Sequence, residues 1–447
     1  MASPYPRAFS RTRSATTLTT KVPIARNEHG SLCLGGVDTA RLASIVGTPA
    51  YVYDLDGIGG ELRALRDAFE GSAHLVAYAV KANTAGAIVR ELAHESCGAD
   101  VVSGAELLVA LACGIPAERI VYSGVAKLDH ELDQAIGAGI GAVQIESIEE
   151  IARVAGRARA LTRRARVSVR VNPGVDLEGA THTHVATGHD AAKFGVRKED
   201  VASAVDLIEK SPELELVGMA THVGSQLGSI EPYLQSARVL FGLVRSLRDA
   251  TRLGSISFVD TGGGFGLPYD ESGEKWPRPA DFVRAARIEQ RANRLDDLSL
   301  YIEPGRAVVA PHGILLASVV QPKVTAVARW LMIDAGMNDL LRPALYQATH
   351  RIVPLQAATD PGEWIPWRVA GPVCESSDDF GEHMLPREPP RAVAILDVGA
   401  YGYTMASRYN GRQAPVEVFL KDGRVIGQTT RLRVESWVEE RVAAGKK

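Results

Sequence analysis

Between residues 72 and 306 the chain repeats one two-part phrase. A short run of apolar, often β-branched residues is followed by a longer stretch with apolar residues at helical spacing. The runs are 74–80, 99–103, 119–123, 142–146, 167–172, 214–223, 256–261 and 298–303. Helix-period stretches lie between them, at 86–94, 105–113, 130–137, 148–158, 200–210, 230–248 and 280–294. Strands joined through helices run parallel, and a parallel sheet needs helices over its faces. Eight such units in about 230 residues fit a (β/α)8 TIM-like barrel better than an open doubly wound sheet. After about residue 312 the phrase stops. Strand-like runs at 314–320, 324–327, 330–334, 367–369, 392–397 and 416–420 follow without regular helices, which predicts an all-β domain. Residues 22–50 carry similar runs and are expected to join it. The predicted organisation is α/β: a disordered tail over 1–21, strands over 22–50, a barrel over 51–311 and a C-terminal all-β domain over 312–447.

Composition narrows the functional classes. The chain has 447 residues, enough for two or three domains at ~100–200 residues each. Fifty basic and 53 acidic residues give a net charge of −3, which argues against a nucleic-acid binder held by bulk charge. No apolar run approaches the ~18 residues that span a bilayer. Cys33, Cys97, Cys113 and Cys374 form no CxxC pair and no disulfide framework, so a reducing, cytoplasmic setting is expected. Residues 1–21 are basic and rich in Ser and Thr, with no acid and little amphipathic pattern; they read as a tail.

In such a barrel the working residues sit at the C-terminal ends of the strands. The first run ends in Tyr78-Ala-Val-Lys81-Ala-Asn83. A lysine after an apolar strand either escapes to solvent or does chemistry. The sixth ends in Thr221-His222-Val-Gly-Ser225-Gln226; a lone histidine is more often a satisfied core residue. The seventh ends in Asp260-Thr-Gly262-Gly263-Gly264-Phe-Gly266. This is not GxGxxG, because Leu267 stands where the last glycine belongs, and no Walker A motif exists. Three glycines still offer bare backbone to a phosphate, or form a tight turn. The eighth ends in Glu303-Pro-Gly305-Arg306, and barrels often hold phosphate after strands seven and eight. Together a strand-end lysine, a flat histidine, a phosphate cradle and a strand-end carboxylate are the parts of a pyridoxal phosphate site.

The ordered set of motifs resembles the fold-type III pyridoxal phosphate decarboxylases over roughly residues 30–435. Besides those above it includes Gly98-Ala-Asp-Val-Val-Ser-Gly104, Lys193-Phe-Gly195, Asp334-Ala-Gly-Met-Asn-Asp-Leu340, Arg342-Pro-Ala-Leu-Tyr346, Gly371-Pro-Val-Cys-Glu-Ser376 and Gly399-Ala-Tyr401. The resemblance implies an alanine racemase-like barrel with a C-terminal β-domain, and a head-to-tail homodimer with shared active sites. It implies pyridoxal 5'-phosphate on Lys81 as the Schiff-base lysine, with His222 stacked on the ring. Ser225, Gly263, Gly264, Gly305, Arg306 and Tyr401 would surround the phosphate, and Glu303 would bind the pyridine nitrogen. Cys374, the implied proton donor to the carbanion, and Glu375 would come from the other subunit. Lys193 and Asp378 match a charge pair that crosses the dimer interface.

The same resemblance places Arg306, Arg342, Tyr346 and Tyr401 at the substrate, with the two arginines on a distal carboxylate and Glu375 on a distal ammonium. Both groups on one distal carbon describe meso-2,6-diaminopimelate, whose decarboxylation gives L-lysine. A substrate without the distal carboxylate would leave dry arginines unpaired, at roughly 3–5 kcal/mol. Departures from the family pattern at Ser377 and in Gln347-Ala-Thr-His350 keep other readings open. These are a relative acting on lysine, ornithine, arginine or a D-amino acid, a racemase on the same fold, and a non-enzymatic cofactor carrier. The pair His182-x-His184 has no acidic or thiolate partners at ligand spacing, so no metal site is expected.

Overall fold

The computed structural model describes residues 24–443 apart from 176–191, 251–252, 254–255, 270–275 and 358–361. The basic tail and the His182/His184 pair therefore lie outside the described residues. Three short strands, β1 (Ile24–Arg26), β2 (Leu32–Leu34) and β3 (Val37–Asp38), form a small antiparallel sheet of their own. Residues 22–50 thus divide, because β4 (Ala50–Asp54) leaves this sheet and enters the large sheet of the second domain. The expected boundary between 50 and 51 falls inside that strand.

All eight expected barrel strands are present: β5 (His74–Ala79), β6 (Gly98–Val101), β7 (Ile120–Tyr122), β8 (Ala142–Ile145), β9 (Ala165–Asn172), and, after the two-residue β10 (Val196–Arg197), β11 (Leu214–Thr221), β12 (Phe258–Asp260) and β13 (Ser299–Ile302). Every pairing is parallel, and β13 with β5 and β8 with β9 close the ring. The helices between them follow from local chemistry. In Ile148–Ala160 the Ser147 side chain caps the first turn by accepting from the Glu150 N–H at 3.3 Å. Glu149 and Glu150 sit at its positive end and Arg157 and Arg159 at its negative end. Ile151, Val154, Ala155 and Ala158 are buried against the barrel.

The second domain is organised by β14 (Gly313–Val324), one continuous strand where two runs were expected, with its register shifted between Val319 and Gln321. Ahead of that shift it pairs with β4; beyond it, with β15 (Arg329–Ile333). Side chains alternate across a strand, and β14 uses both faces. Ile314 and Leu316 pack into a core with Leu32, Val52 and Val418, while Leu315 and Ala317 join the core that continues into the barrel. β16 (Ile352–Pro354), β17 (Trp364–Ala370), β18 (Asp379–Pro386), β19 (Ala392–Ile395), β20 (Val416–Lys421) and β21 (Arg424–Gln428) complete the domain. Its backbone is tied to the barrel mouth: Tyr401 N–H donates to the Ala82 carbonyl at 2.8 Å, and the Asn83 side-chain Nδ2 donates to the Gly399 carbonyl at 2.9 Å. Among the described residues no helix is long and apolar enough to cross a membrane.

Candidate active site

A cavity of about 250 Å³ opens where the two domains meet, at the C-terminal ends of the barrel strands. Lys81, His222, Ser225, Gly264, Glu303, Gly305 and Arg306 reach it from the barrel. Arg342, Tyr346 and Tyr401 reach it from the second domain. Gly263 stands behind His222. Cys374 and Glu375 do not line it. They lie on the exposed stretch 374–377 of the loop 371–378, where the Cys374 thiol faces Asn410 Oδ1 at 3.3 Å and Glu375 accepts from the Tyr409 hydroxyl. Within the chain Lys193 and Asp378 are also apart. The Lys193 ammonium lies over the Phe194 ring, and the buried Asp378 carboxylate accepts from the Met337 and Val373 amides, both at 2.6 Å.

Lys81 sits in the single 3-10 turn Val80–Ala82 that ends β5, and its ammonium pairs with the fully buried Asp100 of β6. Burial opposes the charge on Lys81, but Asp100, Tyr401 and Glu303 outweigh it and hold its pKa above the ordinary value. Asp100 is a site residue that sequence reasoning passed over inside a motif. The signal was there: a carboxylate in an otherwise apolar strand has to point at something.

Glu303 follows β13 and is buried. Gln144 Nε2 of β8 donates to its Oε1 at 3.0 Å, and the Ser123 hydroxyl donates to the same oxygen at 3.4 Å. Burial, together with Asp100 and Asp260, pushes its pKa well above the usual carboxylate range. Asp260, at the end of β12, is likewise pushed up to about 7 by burial. His222 is neutral. The Gly263 N–H donates to its Nδ1 at 3.1 Å, so that nitrogen carries no proton. Burial, with Arg170 and Lys81 nearby, holds its pKa well below 6.5.

The triple glycine is a matter of close approach. A Cβ on Gly263 would meet the Glu303 carbonyl oxygen at 2.0 Å; on Gly264, where φ is +92°, it would meet the Gly224 carbonyl oxygen at 2.1 Å. Arg306 opens a short helix beside this loop. Its Nη1 donates to the Tyr269 hydroxyl at 2.8 Å and its Nη2 to Ser225 Oγ at 3.1 Å. Its guanidinium also lies 5.0 Å from the Tyr401 ring centre. Arg342 lies 4.4 Å over the Tyr269 ring. Burial opposes the charge on both arginines; the nearby tyrosines outweigh it at Arg306, whose pKa is raised, but not at Arg342, whose pKa is lowered with Arg306 adding to the effect.

The residues fit pyridoxal phosphate by a direct criterion. Asp100 Oδ1, Asp260 Oδ2 and Arg306 Nε are buried without a hydrogen-bond partner among the described residues, and all three belong to the residues of this mouth or their immediate neighbours. An anion answers Arg306, and a protonated ring nitrogen answers the crowded carboxyls. No group of three or more His, Cys, Asp or Glu among the described residues could hold a metal ion.

The pattern has relatives. The family profile "Pyridoxal-dependent decarboxylase, pyridoxal binding domain" matches residues 55–310. The diaminopimelate decarboxylase of Zymomonas mobilis is 37% identical over 402 residues, covering 89% of this chain and 93% of that protein. The Helicobacter pylori diaminopimelate decarboxylase structure with L-lysine superposes with a TM-score of 0.83 at 37% identity, over 91% of this chain and all of that one. The M. jannaschii enzyme in complex with L-lysine gives 0.87 at 34% identity, over 95% and 98%. Sequence, fold and the cavity at the barrel mouth agree, and the chain belongs to the diaminopimelate decarboxylase family of pyridoxal-dependent decarboxylases.

Proposed function

We propose that the protein decarboxylates meso-2,6-diaminopimelate to L-lysine and carbon dioxide, using pyridoxal 5'-phosphate held by Lys81. The observation that carries this reading is that Arg306 and Arg342 share one cavity with Lys81, and among the described residues their hydrogen bonds run to Tyr269, Ser225 and His350 and not to a carboxylate. Such a mouth favours a ligand with more than one anionic group, and an amino acid with a distal carboxylate is one. Lys81 Nζ carries the cofactor. Ser225, Gly263, Gly264, Gly305, Arg306 and Tyr401 would hold its phosphate, and neutral His222 would lie against its ring. Glu303, fixed by Gln144 and Ser123, faces the pyridine nitrogen.

Bound there, pyridoxal phosphate supplies an electron sink for the pair released when the Cα–carboxylate bond breaks. The chain does the rest. Lys81 would hold the cofactor between turnovers and yield that place to the substrate amine. Arg342, Arg306 and Tyr346 grip the distal carboxylate and so fix which Cα substituent stands across the ring. Glu375 of the partner subunit takes the distal ammonium. Cys374 of the partner subunit delivers its thiol proton to Cα after carbon dioxide leaves, and regains a proton from solvent. The exposed position of the 371–378 loop, outside the chain's own cavity, supports a homodimer with shared sites.

A substrate panel scored by carbon dioxide release tests the reading: meso-diaminopimelate against L-lysine, D-lysine, ornithine and arginine. Preferred turnover of meso-diaminopimelate is expected. Equal or faster release from a monocarboxylate, or racemisation without release, overturns it.

A further inference from the structure

Arg342 has one of its donors occupied inside the protein. Its Nη1 lies 2.8 Å from His350 Nε2, on the segment that follows its own short helix. A guanidinium only donates, so Nε2 accepts and carries no hydrogen. The other ring nitrogen, Nδ1, lies 2.9 Å from the carbonyl oxygen of Leu396, which only accepts. The hydrogen therefore sits on Nδ1, and the two contacts together select one neutral tautomer. The imidazole is 2% exposed and stands edge-on to Tyr269, ring centres 5.0 Å apart, while the same tyrosine ring carries the Arg342 guanidinium on its face. His350 does not itself line the cavity.

The contrast with other buried arginines gives this its meaning. Arg351, the next residue, pairs with Asp397 at 2.7 Å, and Arg170 pairs with Glu146 at 2.9 Å. Those charges are cancelled within the protein. Arg342 is aimed by an acceptor that brings no charge, and it keeps its own. A carboxylate at position 350 would hold the fork equally well and would cancel it.

We propose that His350 is a positioning residue that sets substrate selectivity. As a neutral acceptor it orients Arg342 while leaving its charge for a ligand, so the site favours amino acids with a second carboxylate over those with only a distal amine. The inference rests on the reading of Arg342 as the grip for the distal carboxylate.

Steady-state kinetics of the holoenzyme with meso-diaminopimelate and L-lysine, on His350→Phe, His350→Gln and His350→Glu, test it. His350→Phe is expected to raise KM for meso-diaminopimelate about 10- to 100-fold, the loss of one charge-assisted hydrogen bond, with kcat changed by less than about threefold. His350→Gln, whose amide oxygen accepts from Arg342, restores most of it. His350→Glu abolishes the preference for meso-diaminopimelate over L-lysine. A fall in kcat at unchanged KM, or equal kinetics for all three variants, overturns the proposal. If His350→Phe fails to fold, the Gln and Glu variants decide it, and equal selectivity in those two overturns it. Calorimetric binding of pimelate, a dicarboxylate without amines, separates this idea from the reading it rests on. If the wild type ignores meso-diaminopimelate, the function reading fails. The His350 proposal then stands if pimelate binds about tenfold more weakly to His350→Glu than to His350→Gln, and falls if the two bind alike.

Discussion

The barrel mouth and the loop 371–378 are both built around reactive side chains, yet the chain treats them in opposite ways. At the mouth, Lys81, His222 and Glu303 each have partners that fix protonation and direction: Asp100, the Gly263 amide, and Gln144 with Ser123. Their pKa values move because burial and neighbours move them. On the loop, Cys374 is exposed, and its amide and thiol both donate to Asn410 Oδ1 at 3.3 Å. The groups at the mouth that would hold the cofactor find their partners within one chain, whereas the Cys374 thiol stands outside that cavity. The lesson is that a reactive group held ready has its environment built around it, whereas a thiol on an exposed stretch of loop has little of one within its own chain.

Four experiments test that contrast. Removing the centre of the mouth should cost most: Lys81→Ala is expected to abolish the visible cofactor absorbance that borohydride fixes, and to lower decarboxylation at least about a thousandfold. Retained absorbance with full activity breaks the assignment. Cys374→Ala is expected to lower turnover about 10²–10³-fold while leaving cofactor absorbance intact, because it removes a proton donor and nothing at the mouth. Mixing the two variants sharpens the comparison further. Random subunit exchange should restore about a quarter of wild-type activity if the loop serves its partner, and no recovery after proven exchange counts against sharing. Gln144→Leu, measured by spectroscopic titration, should weaken cofactor affinity by about tenfold through a loosened Glu303.

The smallest effect is one of stability, away from both regions. Burial raises the Glu417 carboxyl to about 7, with Tyr53 donating to it at 3.1 Å. A carboxyl whose folded pKa lies above its unfolded value binds more protons when folded, so its contribution to stability falls as pH rises from about 4.5 to about 7. Glu417→Gln should therefore flatten the decline of Tm between pH 5 and pH 8, by an amount worth about 1–2 kcal/mol. An unchanged slope would place the titrating groups elsewhere.

The eight barrel strands were legible because a strand buried on both faces must be an apolar run, and a helix packed on it must show its period. The residues at their C-terminal ends stood out because Lys81, His222 and Glu303 interrupt that code. The supporting layer was harder to read. Asp100, Gln144 and Arg170 are also polar breaks in apolar strands, but each looks like any other until the ring closes and aims it inward. Tyr269, His350 and Asn410 lie in segments with no period at all, so their partners, Arg306, Arg342 and Cys374, were unreadable from spacing. Residues 22–50 were expected to join the β-domain, but strand propensity alone does not say which sheet each of their strands enters.

By itself the sequence determined the alternation that makes a barrel, the side chains at its strand ends and the family they match, since these depend on local pattern and residue chemistry. Only the tertiary structure decided that β4, from before the barrel, fills the second sheet between β14 and β20. It alone gave Arg342 a neutral partner instead of an acid. Those are questions of which distant groups share a space, and contacts between residues tens or hundreds of positions apart are set by how the whole chain packs, not by what stands beside each residue in the sequence.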